Sequence, residues 1–229
     1  MTNDVVQLRS VTRVYGQGNV AVNALQGISA EINKGEFVCV VGPSGCGKST
    51  MLHLIGGLDS PTSGTVIVED QDLSTFTNNE LSDLRLRRMG FVFQAFNLIP
   101  VLSACENVEF VLQLQGIGKN ERDTRAREVL DSVGLADAAD RRPGELSGGQ
   151  QQRVAVARAL VGNPLLLIAD EPSANLDSTT TRELCELLQS INRKHGTTIL
   201  IATHDSLVMN YSTRTIQLED GKIQQENPA

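Results

Sequence analysis

The chain has 229 residues, enough for one large domain or two small lobes whose core needs neither disulfides nor a structural metal. Its net charge of −7 at pH 7 argues against holding nucleic acid or anionic lipid by bulk electrostatics, and no apolar run approaches the roughly 18 to 20 residues of a bilayer-crossing helix. Cys39, Cys46, Cys105 and Cys185 show no C-x-x-C spacing and no accompanying histidine cluster, which speaks against a zinc site or disulfide framework and predicts reduced thiols.

The N-terminal Met1-Thr2-Asn3-Asp4 lacks the basic and apolar regions of a secretory leader, so any membrane role is expected to come through a partner. Residues 37–41 (FVCVV) form a short apolar run that ends at Gly42-Pro43-Ser44-Gly45-Cys46-Gly47-Lys48-Ser49-Thr50, and Met51, Leu52, Leu54, Ile55 and Leu58 follow at helical spacing. Strand, G-x-x-x-x-G-K-[ST] loop and helix in that order are the context of a phosphate-binding P-loop. In it, backbone N–H groups surround the phosphates, Lys48 pairs with them and Ser49 reaches Mg²⁺. By itself this leaves kinases, GTPases, helicases and many ATPases open. The thiol of Cys46 is read as a small side chain whose backbone N–H matters.

Pro61 and Gly64 mark a turn before a strand at 65–68. Arg85, Arg87 and Arg88 form a basic run with two readings, a solvated helix face or a coupling surface. Residues 90–94 (GFVFQ), 165–170 (LLLIAD) and 198–203 (TILIAT) are apolar with little alternation. Strands apolar on both faces belong in a sheet covered on both sides, so the fold class is α/β. Between residues 97 and 163 the periodicity turns helical, with Ala126, Val129, Leu130 and Val133 along one side of a charged segment. This predicts a helical lobe at 97–163 inserted into a catalytic core lobe of 1–96 and 164–229, the whole forming one domain. Residues 215–223 predict a closing hairpin and 224–229 a frayed tail. There is one P-loop and no internal repeat, so the unit is not duplicated.

Leu146-Ser147-Gly148-Gly149-Gln150, just before a helical pattern at 150–160, narrows the field. With the P-loop it makes the chain resemble the nucleotide-binding subunits of ATP-binding cassette (ABC) transporters, over about residues 6–223. The resemblance implies the ABC ATPase version of the P-loop NTPase fold, a mostly parallel core sheet with an antiparallel β region and the inserted helical lobe. It implies hydrolysis of ATP with Mg²⁺. Asp170, at the end of an apolar strand, matches the Walker B carboxylate that holds the metal with Ser49 and Gln94. Glu171 matches the residue that positions or deprotonates the attacking water. Gln94 matches the Q-loop glutamine that reports the γ-phosphate to the helical lobe, and His204 the switch histidine that contacts it.

Tyr15, in a chain with only 3% aromatic residues, fits the ring that stacks on adenine, and packing against the sheet is the competing account. In the family Ser147, Gly148, Gly149 and Gln150 complete the ATP site of the opposite subunit, and Ser173-Ala174-Asn175-Leu176-Asp177 matches the D-loop that crosses the dimer interface. The implied active state is a head-to-tail homodimer with two ATP between the chains.

Residues 56–64 (GGLDSPTSG), 90–100 (GFVFQAFNLIP) and Glu106-Asn107-Val108 look like the lipoprotein-release and macrolide-efflux branch. Ser173-Ala174 departs from that branch's usual Thr-Gly. The implied partners are separate transmembrane permease subunits at the cytoplasmic face of the inner membrane, with no nucleic acid. A non-transport regulator acting on a membrane partner, of the cell-division type, shares every motif and stays open.

Overall fold

The computed structural model describes residues 3–16 and 20–228. Two sheets share one layer of helix between them. β1 (Asp4–Tyr15), β2 (Val22–Asn33), β4 (Ser63–Val68) and β5 (Gln71–Asp72) form an antiparallel sheet in the order β2-β1-β4-β5. β3 (Phe37–Val41), β6 (Met89–Phe93), β7 (Leu166–Asp170), β8 (Thr198–Thr203), β9 (Arg214–Glu219) and β10 (Lys222–Pro228) form a second sheet in the order β10-β9-β3-β8-β7-β6. All its pairings are parallel except β9 with β10. The strands at 37–41, 166–170 and 198–203 are buried almost throughout, as continuous apolar runs require when both faces are covered.

The helix α1 (Lys48–Ile55) buries Met51, Leu52, Leu54 and Ile55 in a core shared with Val6, Leu8 and Val11 of one sheet and Val38, Val40 and Leu200 of the other. On the opposite face of the large sheet, α5 (Gly148–Leu160) and α6 (Ser178–His195) pack Val156, Leu184, Cys185 and Leu188 against Cys39, Leu167 and Ile201. Between β6 and β7 the chain forms α3 (Ala104–Leu114), α4 (Lys119–Ser132) and α5, which gather a separate core around Val108, Leu112, Leu130 and Val154. The basic run lies in the last turn of α2 (Asn78–Arg88), where Arg87 pairs with Asp83 at 2.8 Å and Arg88 pairs with Glu69. A short α7 (Ser206–Met209) follows β8. No helix among the described residues is long and apolar enough to cross a membrane.

The expected frayed tail is overturned. Gln225, Glu226, Asn227 and Pro228 pair with Gln217, Ile216, Thr215 and Arg214, and Arg214 bonds Glu226 at 3.4 Å. The segment is polar because it is an edge strand with little to bury, and ladder hydrogen bonds hold it in place of an apolar face.

Asn107 supports the approach to α3. Fully buried, it accepts from Ile99 N at 2.7 Å and lies 2.9 to 3.2 Å from the carbonyls of Ile99, Leu102 and Ser103, to which its amide donates. Asn107→Ala strands those backbone groups and is expected to destabilise the fold by about 1–3 kcal/mol, a fall of roughly 3–10 °C in Tm by thermal unfolding.

Candidate nucleotide site

The loop from β3 into α1 owes its tight path to glycine. Gly42 has φ 151° and a Cβ there would lie 2.0 Å from Leu218 O; Gly47 has φ 109° and a Cβ there would lie 2.5 Å from Ala24 O. No side chain would fit at either place. Gly47 caps α1 without a side-chain bond, so the helix presents backbone N–H groups and the positive end of its dipole to the cleft. Lys48 is only 7% exposed, and its Nζ donates to Gly42 O at 2.9 Å and Pro43 O at 3.1 Å. The Cys46 side chain turns inward and is buried.

Sheet register places the remaining groups in a row. Val41 pairs with Thr203, Ala202 with Asp170 and Asp170 with Phe93, so the residues that follow these carboxyl ends, Gly42, His204, Glu171 and Gln94, emerge side by side. A crevice at the carboxyl ends of parallel strands is the usual ligand position in α/β folds. Here it has a volume of about 850 Å³ and is walled by Pro43, Ser44, Gly45, Gly47, Lys48, Ser49 and Thr50, together with Gln94, Glu171 and His204. Glu171 has φ 47°, and its N–H donates to Ala202 O at 2.9 Å. Its Oε1 lies 3.0 Å from His204 Nδ1 and 3.8 Å from Lys48 Nζ. Ser49 Oγ donates to Asp170 Oδ1 at 3.0 Å. Hydroxyl, carboxylate and the nearby Gln94 amide are an oxygen-only set, suited to a hard divalent cation that takes its other ligands from phosphate and water.

The antiparallel sheet and the last hairpin supply walls that sequence reasoning missed, among them Val22, Asn23, Gln26 and Asp220. Nothing in their types signals a site; their place follows from Gln26 N donating to Gly221 O at 2.8 Å, which brings β2 against the hairpin. Asn175 was also missed as a contact. Its Nδ2 donates to Gln94 O at 2.9 Å and ties the loop after β7 to the end of β6.

Three expected features stand apart from this cleft. Ser147, Gly148, Gly149 and Gln150 are absent from its lining and begin α5, where Ser147 and Gln150 form a reciprocal capping box. Asp177 caps α6, accepting from the Thr179 and Thr180 amides at 2.9 Å each. The Thr180 amide and hydroxyl hold its carboxyl below the usual range. A Cβ on Gly149 would lie 2.5 Å from Thr180 Cγ2, so glycine lets the starts of α5 and α6 meet. Tyr15 is not in the wall either; its hydroxyl donates to Asp59 Oδ2 at 2.8 Å. The four cysteines are free and buried, and burial pushes the thiols of Cys39, Cys105 and Cys185 up to about 12.

The profile of the ABC transporter family matches residues 25–174. The lipoprotein-releasing system ATP-binding protein LolD of Geobacter metallireducens is 43% identical over 96% of this chain and 98% of its own length. The macrolide export ATP-binding/permease protein MacB of Syntrophobacter fumaroxidans is 43% identical over 99% of this chain, which spans only 32% of that larger protein. The cassette MJ0796 of Methanocaldococcus jannaschii, solved as a dimer in a post-hydrolysis state with ADP and Pi, superposes with a TM-score of 0.90. It is 43% identical over 97% of this chain and 98% of that one. A P-loop facing a strand-end carboxylate, glutamate and histidine, in a fold shared at this identity along nearly its full length, makes the chain a member of the ABC transporter family, an ATP-binding subunit with ATPase activity.

Proposed function

We propose that two copies of this chain close head-to-tail on two ATP molecules and that this closure drives separate transmembrane subunits of a lipoprotein-release or efflux system. The carrying observation is the division of the site. The cleft holds Lys48, Glu171 and His204, while Ser147–Gln150 open onto another part of the surface, so a second copy is needed to finish the cage around the γ-phosphate. The identity with LolD over most of both chains favours the transport reading over a purely regulatory one.

In each site the P-loop amides and Lys48 hold the phosphates. Ser49, Asp170 and Gln94 are the residues that would hold Mg²⁺, which neutralises phosphate charge when bound. Glu171 takes the proton of the attacking water as the oxygen bonds to the γ-phosphorus and ADP leaves. His204 steadies the Glu171 carboxylate and faces the same phosphate. Asn175 and Gln94 carry the change to residues 97–163, which act as the moving helical lobe against the core of 1–96 and 164–229.

A second cavity of about 320 Å³ lies where these segments meet, walled by Leu58, Leu86, Phe91, Val111 and Pro164, with Arg85, Arg87 and Arg158 at its edge. Burial lowers the pKa of the Arg85 and Arg158 guanidiniums, which are fixed in place by donating to Gly57 O and to Phe96 O and Asn97 O. The apolar lining suits an apolar segment of the membrane subunit, which is the occupant assigned to it. Leu58 is 47% exposed, so Leu58→Glu is tolerated by the fold and is expected to abolish co-purification with that subunit while ATP affinity is kept.

The test of the whole reading is capture from detergent-solubilised native membranes with ATP-loaded, hydrolysis-deficient protein, followed by mass spectrometry. A polytopic membrane protein with a large extracytoplasmic domain supports it. Recovery of soluble protein or nucleic acid alone overturns it.

A further inference from the structure

Three polar side chains meet at the end of β1, outside the phosphate end of the cleft. Arg13 Nη2 pairs with Asp59 Oδ1 at 2.7 Å, with each side chain 23% exposed. The other oxygen of Asp59 accepts from the Tyr15 hydroxyl at 2.8 Å, and Oδ1 also accepts from the Ser60 amide at 2.8 Å. The Arg13 guanidinium lies 4.5 Å from the centroid of the Tyr15 ring. Among the described residues its buried Nε has no hydrogen-bond partner, and the carboxylate and the ring are the contacts that hold the head group here. Partial burial pulls the Asp59 carboxyl upward, and the Tyr15 hydroxyl, the Ser60 amide and Arg13 outweigh it, leaving the group below the usual carboxylate range.

The triad has a direction. Tyr15 pairs with Val22 across β1 and β2, and directly opposed residues of antiparallel strands project to one face. Val22 lines the nucleotide cleft. The ring therefore lies beside a residue of the cleft wall, still 37% exposed, with the Arg13 cation over one face. A second flat group would stack on the face that Arg13 leaves uncovered.

We propose that Arg13 and Asp59 are positioning residues for the nucleobase: they lock the Tyr15 ring by its hydroxyl and its rear face, so that adenine stacks on a surface ordered in advance. The inference rests on the adenine-stacking reading of Tyr15 and adds how the ring is held. Without the lock, the tyrosine must be immobilised when ATP binds, and ordering one such side chain is worth roughly a 2- to 12-fold change in affinity. Cation–π contact at the rear face adds to the hold.

The experiment compares the affinities of the full chain for ATP and for inorganic tripolyphosphate, both with Mg²⁺, by calorimetry. Arg13→Met, Asp59→Ala and Tyr15→Phe are each expected to weaken ATP by roughly 2- to 12-fold, to leave tripolyphosphate unchanged, and to raise KM rather than lower kcat. Tyr15→Phe deletes one oxygen and keeps the test available should Asp59→Ala fail to fold. Because hydroxyl and carboxylate act through one bond, the Tyr15→Phe/Asp59→Ala double variant is expected to lose much less than the product of the two single losses. If Tyr15→Ala weakens ATP and the Arg13, Asp59 and Tyr15→Phe variants do not, the lock is overturned and stacking stands. If Tyr15→Ala leaves ATP affinity intact, stacking itself fails. Equal losses for ATP and tripolyphosphate would make the triad a general structural prop and overturn the proposal.

Discussion

Glu171→Gln is expected to lower kcat by about 10²- to 10⁴-fold while ATP still binds. Glutamine keeps the length of the side chain and an oxygen that can face His204 Nδ1, 3.0 Å away, and it keeps the backbone turn at φ 47°. What it removes is the basic lone pair that takes a proton from water. It also removes a negative charge beside the incoming phosphates, so ATP affinity should hold or rise. With closure intact and reopening blocked, a dimer is expected to accumulate with ATP in size-exclusion chromatography, whereas the unsubstituted chain cycles back to monomer. Turnover at the unsubstituted rate would mean that another group activates the water, and the role given to Glu171 would fall.

Lys48→Ala is expected to weaken ATP binding by roughly 10- to 150-fold, the equivalent of one charge-assisted hydrogen bond at about 1.5–3 kcal/mol. The Nζ is buried between the Gly42 and Pro43 carbonyls and 3.8 Å from Glu171, a place that alanine leaves without any cation. Two losses combine: the attraction for the phosphates, and the tie that holds the loop in shape. Lys48→Arg is not expected to restore affinity, because the site is 7% exposed and a planar guanidinium is too large for the space an ammonium fills. Calorimetry with ATP and Mg²⁺ reads the effect directly. An alanine variant that binds as tightly as the starting chain would remove Lys48 from the phosphate site.

The strands that carry the site were legible because each is a short apolar run with both faces covered, and such runs need no phase. The long strands β1 and β2 were not, because their phase slips. Val5, Val6, Gln7 and Leu8 are buried in succession, then Ser10 turns to φ 49° and Val11 takes the next buried position. In β2, Leu25 and Ile28 are both buried across Gly27 at φ 74°, after which Ala30 and Ile32 resume the alternation. A bulge defeats a period-two search while leaving the sheet whole. The 178–195 helix carries readable marks, with Asp177 before it, Gly196 after it and Leu184, Leu188 and Ile191 along one face.

Chemistry that depends on residue type and local order was decided by sequence alone. A glycine-rich loop between strand and helix marks a phosphate site, and Asp170-Glu171 and His204 at the ends of apolar strands match the family's motifs, because these signals lie within a few residues of one another. Relations between distant segments belonged to the tertiary structure. The register of β3, β8, β7 and β6 lines up Gly42, His204, Glu171 and Gln94, and the packing of Gly149 on Thr180 joins the starts of α5 and α6. The contact of Tyr15 with Asp59 spans 44 positions. Such pairs are fixed by the burial of a shared core and the closure of long loops, and no local pattern of residues records which partner lies across the gap.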